Sequence, residues 1–134
     1  MLQAAPDAQI VARMRGVTRE NGRDAAQALL ASGTAYDVVL SVNDAAAFGV
    51  IAVLQEQNIP PEAVTVFSVN GESLAQQYVR RGLYMQATIV FDRQMLARST
   101  MEAVIKMLGG GSLPRTILVT DSHVVTADDL TSTP

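Results

Sequence analysis

The sequence predicts an α/β fold, a three-layer sandwich with a mostly parallel sheet, and three observations carry that prediction. Apolar runs of strand length, Val38-Val-Leu-Ser-Val42, Val64-Thr-Val-Phe-Ser-Val69 and Ala87-Thr-Ile-Val-Phe91, alternate with segments of helical periodicity. Each run ends on a polar residue where a helix should begin: Asn43-Asp44, Asn70-Gly71 and Asp92. Strands that alternate with helices imply right-handed crossovers, so these ends should gather at one edge of one sheet. In open α/β folds that edge is where ligands bind.

Taken in order, Ile10-Val-Ala-Arg-Met-Arg15 reads as a short first strand closed by Gly16. Thr18 or Asn21 then caps a helix with the inner face Ala25, Ala26, Leu29 and Leu30, which ends at Gly33. Val38–Val42 is the second strand. Asn43 and Asp44 open the next helix, with an acid in its first turn where the macrodipole favours one. That helix, Ala45 to about Gln57, is apolar nearly all round through Leu54 and should be covered on more than one side. Asn58-Ile-Pro60-Pro61 breaks the pattern before the third strand, Val64–Val69.

Leu74, Ala75, Tyr78 and Val79 stripe a short helix that stops at Arg80-Arg81-Gly82, two cations before a glycine. Ala87–Phe91 is the fourth strand. The longest helix follows, with the apolar stripe Ala97, Met101, Val104, Ile105 and Leu108, and Gly109-Gly-Gly111 ends it. Thr116–Val119 reads as a final strand and Val124-Val125 as a short extension. The polar tail, residues 128–134, is expected to fray.

Composition removes several function classes. A net charge of −3 and one lysine, Lys106, leave no basic surface for nucleic acid. Without cysteine there is no thiolate chemistry, disulfide or cysteine zinc site. No apolar run approaches the ~20 residues of a membrane span, so membrane insertion is not expected. The first residues lack the basic start and apolar core of a signal peptide.

Catalytic parts are also missing. Nucleophilic catalysis needs a base beside Ser, Thr or Cys, and the one histidine, His123, is expected to be structural or exposed. No Gly-x-Ser-x-Gly elbow occurs. Gly109-Gly-Gly-Ser112 follows a helix and precedes a strand, the reverse of a phosphate cradle. Asp37, Asp44 and Asp92 lack the strand-end lysine that a phospho-acceptor magnesium site uses, since Lys106 lies inside a helix. No metal, no cofactor and no enzymatic activity are expected.

What remains is a polar rim. Amides can donate and accept paired hydrogen bonds with adjacent hydroxyls, and an aromatic face packs on a sugar's C–H surface. Asn43, Asn70 and Phe91 supply that combination. Each also has a plain structural use: Asn43 as a helix cap, Asn70-Gly71 as a turn, Phe91 as core.

The stretch Tyr36-Asp-Val-Val-Leu-Ser-Val-Asn43-Asp44-Ala-Ala-Ala-Phe-Gly49 resembles the strand–Asn-Asp–x-x-Ala-x-Gly motif of type I periplasmic sugar-binding proteins and lac-repressor-type regulators. Val64-Thr-Val-Phe-Ser-Val-Asn70-Gly71 is similar to their Val-x-Val-Val-Gly-Phe-Asp-Gly strand. Gly82 with Ala87-Thr88-Ile89, and Val124-Val125-Thr126, continue the likeness in order over about Pro6 to Asp128. By position, Asn43 matches the asparagine that bonds sugar hydroxyls in that family. Asn70 stands where an aspartate is usual and Phe91 where a glutamine is common, with Asp92 matching the acid that follows it. The resemblance therefore implies Asn43, Asn70, Phe91 and Asp92 as ligand-binding residues. It implies a sugar or related polyol as ligand, less polar or more modified than a usual pentose or hexose.

The resemblance also implies that residues 1–134 are a single partial domain, the later part of the C-terminal lobe of a periplasmic-binding-protein-like type I fold. The lobe's central strand would lie between Ile10–Arg15 and Val38–Val42, and no segment for it, or for the N-terminal lobe, is found. Two inner sheet edges are then unpaired unless rearrangement or a partner strand fills the gap, a homodimer included. The leading expectation is a lobe of a solute-binding protein serving an ABC transporter, with its permease as partner, in the periplasm or outside the cell. The alternatives are the effector-sensing domain of a cytoplasmic lac-repressor-type regulator and the sensory domain of a signalling protein. A flavodoxin-like enzyme or cofactor carrier is the reading from another class.

Overall fold

The computed structural model describes residues 5–117 and 121–131. Its elements are α1 (Arg19–Ala31), β1 (Val38–Leu40), α2 (Asp44–Glu56), β2 (Thr65–Asn70), α3 (Ser73–Arg80), β3 (Met85–Phe91), α4 (Arg93–Leu108), β4 (Ser122–Thr126) and α5 (Ala127–Thr131). The strands form a four-stranded sheet in the order β1-β2-β3-β4. β1, β2 and β3 run parallel, and β4 closes the far edge antiparallel to β3, pairing Val125 with Thr88 and His123 with Val90. The expected α/β fold with a mostly parallel sheet is what the chain adopts.

Alternation along the strands sets the two faces of the sheet. Val66, Met85 and Val125 turn inward, and α1, α2, α3 and α5 share that side in one core with Ala26, Ile51, Leu54, Ala75 and Val79. The apolar helix α2 sits at the centre. α1 covers it on one side, where the two backbones touch: a Cβ on Gly22 would lie 2.0 Å from the Ala46 carbonyl oxygen, and one on Gly49 2.0 Å from that of Arg19. Only glycine permits such an approach. On the other side Phe48 stacks on Tyr78 of α3 with ring centroids 6.1 Å apart.

The opposite face is bare near β1. Val38, Leu40 and Val42 are 47%, 57% and 61% exposed. α4 buries none of its residues, so the apolar stripe expected to face a core, Met101 to Leu108, lies in solvent. The helix forms as read, but no packed surface receives that stripe.

The expected first strand is a correction. Residues 10–15 make no ladder and are exposed, because among the described residues no strand lies beside them to take up their backbone bonds. Between this segment and β1 runs a groove of about 240 Å³, lined among others by Val11, Met14, Leu29, Tyr36, Val38 and Leu40. On either side of β1, Asp37 accepts from Thr65 and Ser41 donates to Phe67, each at 2.8 Å. The intervening residues Val38 and Leu40 therefore turn their backbone groups away from β2 towards the groove. The Tyr36 hydroxyl is buried at its wall with no hydrogen-bond partner among the described residues.

Thr116 and Ile117 form no strand, and Leu118 and Val119, the rest of that expected strand, lie outside the described residues. Of the tail expected to fray, residues 128–131 are helical instead, within α5 (Ala127–Thr131), whose Ala127 and Leu130 lie against the core. Residues 132–134 lie outside the described residues.

Candidate functional site

Because β1, β2 and β3 are parallel, the residues that follow their C-terminal ends share one edge of the sheet. Asn43 follows β1, Asn70 ends β2, Phe91 ends β3 and Asp92 follows it. The four residues expected to bind ligand thus lie along the same edge.

Their side chains are not equally available. Asn43 is the N-cap of α2: its Oδ1 accepts from the Ala46 amide at 2.9 Å, and its Nδ2 donates to the Val17 carbonyl at 2.9 Å. One N–H and one lone pair are left for a ligand. Asp92 caps α4 by accepting from the Met95 amide at 2.9 Å, which leaves its second oxygen. Phe91 is 39% exposed. Asn70 is half-buried, and among the described residues nothing bonds its side chain. Its carbonyl accepts from Arg93 Nη2 at 3.2 Å.

Beneath this rim lies a polar cluster that sequence reasoning missed. Asp44, 0% exposed, accepts from the hydroxyls of Ser68 and Thr88, the latter at 2.9 Å, and from the Glu72 amide at 2.7 Å. Thr88 Oγ1 in turn accepts from the Gly71 amide at 3.2 Å. One carboxylate therefore joins the start of α2, the ends of β2 and β3, and the start of α3. The signal was present: Ser68 and Thr88 are register partners on inward-facing positions of apolar strands, where a hydroxyl needs a partner.

The profile of the periplasmic binding protein domain family matches residues 1–112. The chain belongs to that family. Among solved structures, this periplasmic binding protein domain is similar to a galactofuranose binding protein (20% identity, TM-score 0.79), covering 95% of this chain and 44% of that one. It is similar also to the periplasmic component of the arabinose ABC transporter from Shewanella sp. ANA-3, bound to α and β-L-arabinofuranose (23% identity, TM-score 0.80, 98% and 44% covered). A third is the 5-methylthioribose transporter solute binding protein from Thermotoga lettingae TMO (21% identity, TM-score 0.79, 97% and 41% covered). Such likeness establishes the fold, and the chain spans less than half the length of each of these proteins. No curated protein sequence matches it significantly.

The bare groove fits that partial span. The groove, the free edge of β1 and the Tyr36 hydroxyl lie together between residues 10–15 and β1, where a central strand is expected from the family resemblance.

Proposed function

We propose that the chain is part of the C-terminal lobe of a non-catalytic solute-binding protein that holds a sugar or related polyol between two lobes. The observation that carries the reading is the shared edge: Asn43, Asn70, Phe91 and Asp92 at the C-terminal ends of three parallel strands. An amide half-buried at the end of β2 beside a half-exposed phenyl ring suits a furanose or modified sugar, with hydroxyls on one face and C–H or apolar groups on the other.

The galactofuranose, arabinofuranose and 5-methylthioribose proteins support that ligand class. Their covered lengths support a second lobe as the partner that closes the pocket, and a further strand of this lobe that completes the sheet at the groove. Closure of the two lobes on ligand would present a surface for a transporter permease, in the periplasm or outside the cell.

The test is sugar affinity of this chain joined to a family N-terminal lobe, read by isothermal titration with L-arabinose, D-galactose and 5-methylthioribose. Asn70→Ala should weaken binding by about 1–3 kcal/mol through the polar partner it leaves unpaired. Phe91→Gln should shift preference from the methylthio sugar to the free pentose. Unchanged affinity in both variants would remove this edge from the site.

A further inference from the structure

Asn70 has φ 119°, a conformation that residues with side chains rarely adopt. Such strain persists only where the surroundings over-determine the backbone, and it collects at ligand clamps. Four hydrogen bonds hold the backbone from the Asn70 carbonyl to the Glu72 amide. The Asn70 carbonyl is held by Arg93 at 3.2 Å, the Gly71 amide by Thr88 Oγ1 at 3.2 Å, the Gly71 carbonyl by Gln76 Nε2 at 2.9 Å, and the Glu72 amide by Asp44 Oδ2 at 2.7 Å. Gly71, at φ 65°, lies so close to β3 that a Cβ would come 2.3 Å from Val90 Cγ2.

Two of those restraints lead to one group. Asp44 holds Glu72 directly, and it takes the single hydroxyl proton of Thr88, which leaves the Thr88 lone pairs to accept from Gly71. A carboxylate suits the place because its donors, Ser68, Thr88 and the Glu72 amide, outnumber what a neutral amide oxygen can accept.

We propose that Asp44 is a positioning residue for the ligand edge: through Glu72 and Thr88 it fixes Asn70 at its strained φ, and so sets where the Asn70 amide meets the ligand. The function assigned to that amide rests on the sugar-binding reading; the pinning itself does not need a ligand to be measured.

The experiment is solution NMR on the 134-residue chain, comparing wild type with Asp44→Asn and Thr88→Val. The three-bond coupling between the Asn70 amide and Hα protons reads φ, and amide exchange reads the bonds of Gly71 and Glu72. Both variants should move the Asn70 coupling towards its ordinary extended value. They should speed exchange at Gly71, and Asp44→Asn also at Glu72, by about tenfold or more. Val53 and Leu54 of α2 should keep their exchange rates. Should Asp44→Asn fail to fold, Thr88→Val, which keeps the β-branched shape, decides alone. An unmoved Asn70 coupling in Thr88→Val overturns the proposal. A moved coupling in a protein that binds no sugar would retain Asp44 as the pin of Asn70 and remove the sugar reading instead.

Discussion

The Asn43 side chain donates to the Val17 carbonyl at 2.9 Å, across 26 residues, while capping α2 at the same time. The residue that most resembles a family ligand contact is therefore also a structural tie between the proposed ligand edge and the segment that walls the groove. The two roles can be separated. Asn43→Ala loses the cap and should lower stability by about 1 kcal/mol, read by urea unfolding. Asn43→Ser keeps a capping oxygen but loses the bond to Val17, so its stability should fall between those of Asn43→Ala and wild type. A sugar contact by Asn43 would make both variants lose affinity in the two-lobed protein.

The contact of α1 with α2 gives a prediction independent of ligand. Gly22→Ala places a methyl where the Ala46 carbonyl already sits, so the helices must part. The cost should be about 1–3 kcal/mol despite alanine's better helix propensity, seen as a lower urea midpoint. A neutral or stabilising result would show that the helices cross less closely.

Acid sensitivity follows from two carboxylates. Hydrogen bonds from Arg23, 2.7 and 2.8 Å long, hold Glu56 below the usual carboxylate range. Bonds from the Thr126 amide and hydroxyl do the same for Asp129. A depressed native pKa gives stability that is present above the unfolded value and lost as pH falls through the native one. Unfolding midpoints should therefore drop below about pH 4. Glu56→Gln should flatten part of that drop, and added salt should weaken the Arg23–Glu56 contribution at neutral pH. Identical pH profiles for wild type and Glu56→Gln would remove the pair from the account.

The free edge of β1 is a pairing hazard. With Val38, Leu40 and Val42 bare beside the groove, the isolated chain should self-associate, visible by native mass measurement and gel filtration. Leu40→Lys should shift it towards monomer. A strict wild-type monomer with unchanged strand order would show that the edge is protected without a partner.

Much of the fold was legible because local signals agreed with the tertiary outcome. Thr18 caps α1 and accepts from the Asn21 amide at 3.2 Å, and the strand cores and α2 fall where apolar periodicity put them. The failures share a cause. Ile10–Arg15 has the composition of a strand, but a strand needs a neighbour, and no local pattern reveals that none is there. The stripe on α4 likewise encodes a packed face that nothing within the described residues covers. At the ligand edge, residue types marked the positions, whereas the strain at Asn70 and its link to Asp44 depend on contacts between residues far apart in sequence.

The central claim is that this chain supplies one wall of a two-walled sugar pocket. Isothermal titration of 5-methylthioribose into the isolated chain, and into the same chain joined to a family N-terminal lobe and to the central strand of its own lobe, tests it most directly. The account predicts no measurable binding by the isolated chain and binding at about micromolar Kd or tighter by the joined protein, lost with Asn70→Ala. Micromolar binding by the isolated chain would contradict it.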